Sequence, residues 1–488
     1  MGRAHDEPPG WRAGNEADMT SPGEAGGTNA DEAGGTNADE AGGTNAGEAG
    51  GTTTSDSPSG ATRTLWTVWR FLVIVARLMP LFVAYARDRR RWVLLGPERR
   101  TTPVIRRRRA RYLREALVEL GPTFVKLGQL LSTRPDVVPP EYVAVLSSLQ
   151  DRVPPADWAA IERVLAAEVG PVGAAFDEFD REPISGASLG QVHVATLDGE
   201  RVAVKVRRPG VGARVDADLR VLGVLLAVWR RLVPPDQART FQRVYAEFAT
   251  TIREETDYER EAAMLAAIGE NLRDEDGVRV PAVVDRRSTA RVLTMEYVPG
   301  TKVTDVEALA SLGVDRAAVA RRLLSVYTEM VLVDGVFQAD PHPGNVAVQP
   351  DGTVVLYDFG MCGRLDEETR SHLGAFYSGL ATGDVDALVA SFEAMDAVAP
   401  DADRDQLRTL VGAALSDLRG TAGDGDREGA GGGPSAAEAL DAVDLYHFPL
   451  VLPRELALLV RLATVLDGVV RTVDPDVDVA AALSAYGQ

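Results

Sequence analysis

The sequence predicts an α+β fold of two lobes, with a helical N-terminal extension and a disordered tail ahead of it. Three observations predict it. An apolar hairpin turns at Asp198-Gly199 and carries Lys205; Val292 to Gly300 reads as a strand running into a turn; and Asp340-Pro-His-Pro-Gly-Asn345 is followed, thirteen residues after the asparagine, by Asp358-Phe359-Gly360. In that order the segments make a small lobe, a connector and a larger lobe built for phosphate chemistry.

The bulk numbers agree with a folded chain of two or three domains. There are 488 residues, 45% hydrophobic and 25% charged, enough to bury full cores. A formal net charge of −20 argues against general nucleic-acid binding. The single cysteine, Cys362, excludes an intrachain disulfide and fits a reducing, cytoplasmic setting. The five histidines stand apart without ligand spacing, so no zinc site is expected.

Residues 1–60 are expected to be a disordered tail rather than a signal peptide. Gly23-Glu-Ala-Gly-Gly-Thr-Asn-Ala30 recurs from Asp31 and Asp39 and in part from Gly47, a period too short and polar to bury a face. Residues 61–105 form a basic, amphipathic segment. Its apolar run, Leu65 to Tyr85, is interrupted by Arg70, Arg77 and Pro80, which argues against a spanning helix. The arginines that follow, Arg89 to Arg91 among them, suit an anionic membrane surface. A core helix beside a solvated charged helix remains the alternative. Residues 106–175 make the helical extension, where Lys126 and Gln129, three apart, share one face while Phe124, Leu127 and Leu131 share another.

The small lobe spans 176–298. Val192 and Val194 lead to Asp198-Gly199, then Val202, Val204 and Val206 alternate around Lys205. A buried ammonium needs a carboxylate partner, and a helix from Phe248 to Leu265 offers Glu254, Glu255, Asp257, Glu259 and Glu261. Met295, Glu296 and Val298 sit at the strand end, placed for backbone pairing with an adenine edge.

The large lobe spans 299–488. Val346 to Val348, a Gln349-Pro-Asp-Gly352 turn and Thr353 to Leu356 predict a hairpin that returns Asp358 beside Asn345. Two carboxylates and an amide at this spacing are what Mg-ATP phosphotransfer requires. A Gly-rich segment, 419–437, reads as a flexible insert. Leu456 to Val470, broken by Arg461 and Asp467, reads as an amphipathic helix in a soluble core.

With Lys126-Leu-Gly128-Gln129, Ile184-Ser-Gly-Ala187-Ser188-Leu189-Gly190 and Glu255-Thr-Asp257-Tyr-Glu-Arg-Glu261 added, the chain closely resembles the UbiB/ADCK-type atypical kinase-like proteins, from roughly Arg106 to Asp476. The resemblance implies ATP and Mg2+ as cofactors. It implies that Lys205 pairs the α- and β-phosphates and is oriented by Glu261, that Asp340 is the catalytic-loop carboxylate, and that Asn345 and Asp358 hold metal. Ala187 to Gly190 would lie over the phosphates, and Lys126, Gln129, Glu255 and Asp257 would cover the site where a protein substrate would dock. It also implies a role in quinone or isoprenoid-lipid metabolism at a membrane, with hydrolysis or small-molecule transfer favoured over protein phosphorylation. A nucleotide-binding scaffold and a small-molecule phosphotransferase are the rivals. Ser185-Gly186 departs from the two alanines common in the family, and no long activation loop or Ala-Pro-Glu follows Gly360.

Overall fold

The computed structural model describes residues 60–89, 102–134, 137–149, 154–186, 188–231, 235–399, 402–422, 450 and 452–477. The expected tail before residue 60, Arg90, Arg91 and the other residues up to 101, Ala187 and the insert from 423 to 437 lie outside them.

Helix α1, Gly60–Arg89, is long and apolar enough between Trp66 and Ala84 to cross a membrane, by length and composition only. The two arginines of that stretch part ways: Arg77 stays at the surface, whereas Arg70 is buried. Arg70 turns inward: its Nε lies 2.7 Å from Asp218 Oδ1, and its second nitrogen donates to Asp218 Oδ2 and to the Leu120 carbonyl. Asp218 is wholly buried, and an unpaired carboxylate there would be costly. The same face carries Ile74 into a cluster with Leu117, Leu120, Phe124 and Val221. Arg77 pairs with Glu119. The opposite face leaves Trp69, Leu72, Met79 and Val83 exposed.

The extension continues as α2 (Pro103–Leu120), α3 (Pro122–Ser132) and α4 (Pro140–Leu146). Gly121, at φ +95°, makes the turn between α2 and α3. At Gly128 the helices approach so closely that an added Cβ would stand 2.3 Å from Leu149 Cδ1 and 2.7 Å from Leu117 Cδ1. Helix α5 (Trp158–Glu168) then packs Ile161 and Leu165 on the small-lobe sheet, and a short α6 (Val172–Ala175) leads into it.

That sheet comprises β1 (Glu178–Phe179), β2 (Ser185–Gly186), β3 (Gly190–Leu197), β4 (Glu200–Arg207) and β6 (Val292–Glu296), in the order β1-β3-β4-β6 with β2 on β3. Asp198 and Gly199, both at positive φ, form the two-residue turn that pairs Leu197 with Glu200. Helices α7 (Val211–Trp229), α8 (Pro235–Glu254) and α9 (Tyr258–Asn271) follow β4. The continuous helix expected from Phe248 to Leu265 is instead broken at 255–257. There the Asp257 side chain accepts from the amides of Glu259 and Arg260 and caps α9, the role an Asp at that position fills best.

In the large lobe, β5 (Val278–Arg279), β10 (Val354–Leu356), β9 (Val346–Val348) and β7 (Thr301–Lys302) form one sheet. A two-stranded sheet joins β8 (Val336–Gln338) to β11 (Cys362–Arg364). Helices α10 (Val306–Ser311), α11 (Arg316–Glu329), α12 (Glu367–Thr382), α13 (Val385–Ala394), α14 (Arg404–Ala422) and α15 (Arg454–Val473) surround them. α14 runs four residues into the segment expected to be a loop from 419, ending at Ala422. Leu458, Leu462, Leu466 and Val470 of α15 enter the lobe core with Leu323, Phe337 and Phe359. Cys362 is buried there too, its Sγ against the Phe359 carbonyl, and burial pushes its thiol pKa well up.

Candidate active site

Strand β4 points Lys205 into the cleft between the lobes. Its Nζ lies 2.6 Å from Glu261 Oε1 and 3.1 Å from Asp358 Oδ2, beneath the Tyr258 ring at 5.3 Å. Of the five acidic candidates, Glu261 is thus the one brought to Lys205, because α9 starts at Tyr258 and turns that position inward. Burial alone would lower the ammonium pKa, but Asp358 and Glu261 hold it well above its ordinary value. Burial pushes Glu261 up to about 7 against the pull of Lys205. Asp358, although also opposed by burial, is held at about 2 by Lys205 and the Gly360 amide. One ammonium between two carboxylates therefore keeps Asp358 charged.

The predicted hairpin is present as β9 against β10, with Val354 opposite Val348 and Gly352 at φ +86°. It brings Asn345 and Asp358 together at the open end of the hairpin, where the Tyr357 amide donates to the Asn345 carbonyl. Asn345 Nδ2 donates to the Asp340 carbonyl at 3.0 Å, so its amide oxygen faces away from that bond. Asn345, Asp358 and Lys205 line the same cleft, whose apolar wall includes Val192, Ala203 and Met295. Oxygen donors of this kind suit a hard cation such as Mg2+. Ser188 Oγ and Tyr258 Oη are buried with no hydrogen-bond partner among the described residues.

The loop residues are divided in placement. Leu189 packs with Val215, Phe248 and Ile252, away from the cleft, whereas Ile184 and Ser185 line it. Gly190 lies so near Tyr258 that an added Cβ would stand 2.1 Å from its hydroxyl. At the connector, the Glu296 amide already donates to the Ala282 carbonyl, and the Val298 carbonyl accepts from the Tyr357 hydroxyl. Met295 is buried behind them.

A second cleft opens under α3. Lys126 Nζ is 2.9 Å from Glu255 Oε2, and both line this cleft with Gln129, Met361 and Arg461. Arg134, 2% exposed, pairs with Glu247 on α8. Gln129 Nε2 reaches the Leu149 carbonyl at 3.4 Å. Asp257 is not part of this pairing; its carboxylate is engaged at the α9 N-terminus.

Two residues in the site were not singled out from sequence. Gln338 accepts from the Tyr327 hydroxyl and donates to the Asp358 carbonyl, fixing the segment before Gly360. Arg461 places its guanidinium 2.9 Å from Asp340 Oδ1. Its only signal in sequence is a lone arginine within an apolar helical run.

Residues 148–392 match the ABC1 atypical kinase-like domain. The chain is 36% identical over 430 residues to the Arabidopsis thaliana protein ACTIVITY OF BC1 COMPLEX KINASE 7, chloroplastic, covering 86% of this chain and 59% of that one. It is 41% identical over 304 residues to the corresponding KINASE 8, covering 61% and 40%, so it spans less than two thirds of either relative. An uncharacterised Synechocystis protein is 33% identical, with 86% of this chain and 73% of that one covered. The fold is also that of a Mycobacterium tuberculosis protein solved as an erythromycin complex, with TM-score 0.51, 24% identity, and 77% of this chain and 94% of that one covered. The chain belongs to the ABC1 atypical kinase-like family, the UbiB/ADCK family.

Proposed function

We propose that this chain binds Mg-ATP in the inter-lobe cleft and either hydrolyses it or transfers the γ-phosphoryl group to a small molecule. The observation that carries this reading is Lys205 clamped between Glu261 and Asp358, with Asn345 in the same cleft. Lys205 would pair the α- and β-phosphates, Glu261 orient it, and Asn345 and Asp358 hold the metal, which supplies charge neutralisation at the phosphates when bound. The loop from Ala187 to Gly190 would cover the phosphates, and the Glu296 carbonyl and Val298 amide would pair the adenine edge. In the reaction the bond between the γ-phosphorus and the bridging oxygen to the β-phosphate breaks. The acceptor oxygen bonds to phosphorus, and its proton passes to Asp340 and on to solvent as ADP leaves. Lys126, Gln129 and Glu255 on the acceptor side argue for water or a small acceptor rather than a polypeptide, with Asp257 positioning the helix that carries Glu261.

The setting we propose is the cytoplasmic face of a membrane, with the quinone or isoprenoid-lipid role that family resemblance implies. Because Arg70 and Ile74 hold α1 on the domain, its exposed stripe of Trp69, Leu72, Met79 and Val83 would meet lipid in plane rather than cross it. Arg107, Arg108 and Arg111 are exposed on the neighbouring α2, complementary to anionic headgroups. Purified chain with Mg-ATP and anionic liposomes is expected to release ADP, and Asp358→Asn to abolish the release. Wild-type release no greater than that of the variant would leave a nucleotide-binding scaffold as the function.

A further inference from the structure

The catalytic loop, Asp340 to Asn345, contains no lysine or arginine. Its one titratable base, His342, is exposed and turned on itself, with Nδ1 accepting from the Gly344 amide at 2.7 Å. Yet phosphoryl transfer at this loop would bring a γ-phosphate charge against the Asp340 carboxylate. Like charges at such range need a fixed cation, and a preorganised one is among the largest contributions to such reactions.

The cation on Asp340 comes from the far end of the chain. We infer that Arg461 of α15 is a positioning residue of the phosphotransfer site, holding the Asp340 carboxylate and supplying the positive charge that the catalytic loop lacks. This inference rests on the function proposed above.

The geometry around Arg461 supports it. Arg461 and Asp340 side chains are 15% and 14% exposed, so their 2.9 Å contact is largely shielded from solvent. Arg461 takes one carboxylate oxygen, Oδ1, so the second can face an acceptor. Its helix cannot shift freely, because Leu458 and Leu462 on either side are in the lobe core. Arg461 also lines the cleft under α3 with Lys126 and Gln129, which puts it on the acceptor side of Asp340 rather than the adenine side. Arg454, two turns earlier, pairs with Glu254 instead and serves as an internal control on the same helix.

The test compares Arg461→Met, Arg461→Lys and Arg454→Met in the full chain, by ATP turnover, by nucleotide affinity and by amide hydrogen exchange across 340–345. Arg461→Met is expected to lower kcat by about 10²- to 10³-fold, the range for losing one preorganised donor, with ATP affinity retained. Exchange across the loop should rise several-fold. Arg461→Lys should recover part of both, and Arg454→Met should change neither. Retained kcat, or unchanged exchange, in Arg461→Met would overturn the inference. So would an equal loss in Arg454→Met, which would make α15 a strut. If wild-type protein shows no turnover, the functional proposal fails by itself, and the exchange comparison still decides whether Arg461 holds Asp340.

Discussion

At the scale of single residues, the polar centre follows from how few charges the cleft admits. Lys205 was legible because an alternating strand made it the one charged side chain among Val202, Val204 and Val206. Its partner was legible only through the family resemblance, since five acidic residues stood within reach and it is the start of α9 at Tyr258 that turns Glu261 inward. Arg461 was illegible for a related reason: a contact spanning 121 positions leaves no local pattern. Glu261 also yields a pH prediction. Its pKa is raised from 4.5 to about 7, so the folded protein binds a proton there that the unfolded chain does not between those values. The stabilisation is therefore full below the unfolded value and is lost as pH rises through about 7. In urea titrations without nucleotide, wild type should lose stability relative to Glu261→Gln between pH 5 and 8. Parallel curves for the two proteins would contradict the raised pKa.

Among elements, those with local turn chemistry were readable and those defined by a break were not. The Asp198-Gly199 and Gly352 turns announced their hairpins, because only residues tolerant of positive φ close such turns. At Gly128, the leucine methyls that an added Cβ would meet explain why α3 needs a glycine there. The α8–α9 break was missed, since the acidic run 254–261 reads as continuous helix until Asp257 is seen to cap it. That cap separates two roles for Asp257. Asp257→Asn keeps a good capping side chain and should match wild type in stability and turnover. Asp257→Ala should lose about 1 kcal/mol of stability, measured by denaturant titration. A turnover loss in Asp257→Asn with stability unchanged would instead assign the carboxylate to the site.

For the whole molecule, two lobes and an extension were legible in the residue pattern, but how they join rests on buried ion pairs between distant segments. Lys126 with Glu255, Arg134 with Glu247 and Arg70 with Asp218 tie the extension and α1 to α8 and α7. In the sequence Arg70 argued against a spanning helix, whereas the fold turns it inward and leaves an uncharged stripe outside. The two faces of α1 should therefore respond oppositely to substitution. Leu72→Glu with Met79→Glu lies on the exposed face, so stability should stay within about 0.5 kcal/mol while co-sedimentation with anionic liposomes falls. Arg70→Met leaves the Asp218 carboxylate buried and unpaired, which costs about 3–5 kcal/mol. Adding Asp218→Leu to it removes the orphaned charge and should recover much of that loss. If the Leu72 and Met79 changes leave liposome binding intact, α1 is a structural helix of the extension and the membrane contact lies elsewhere.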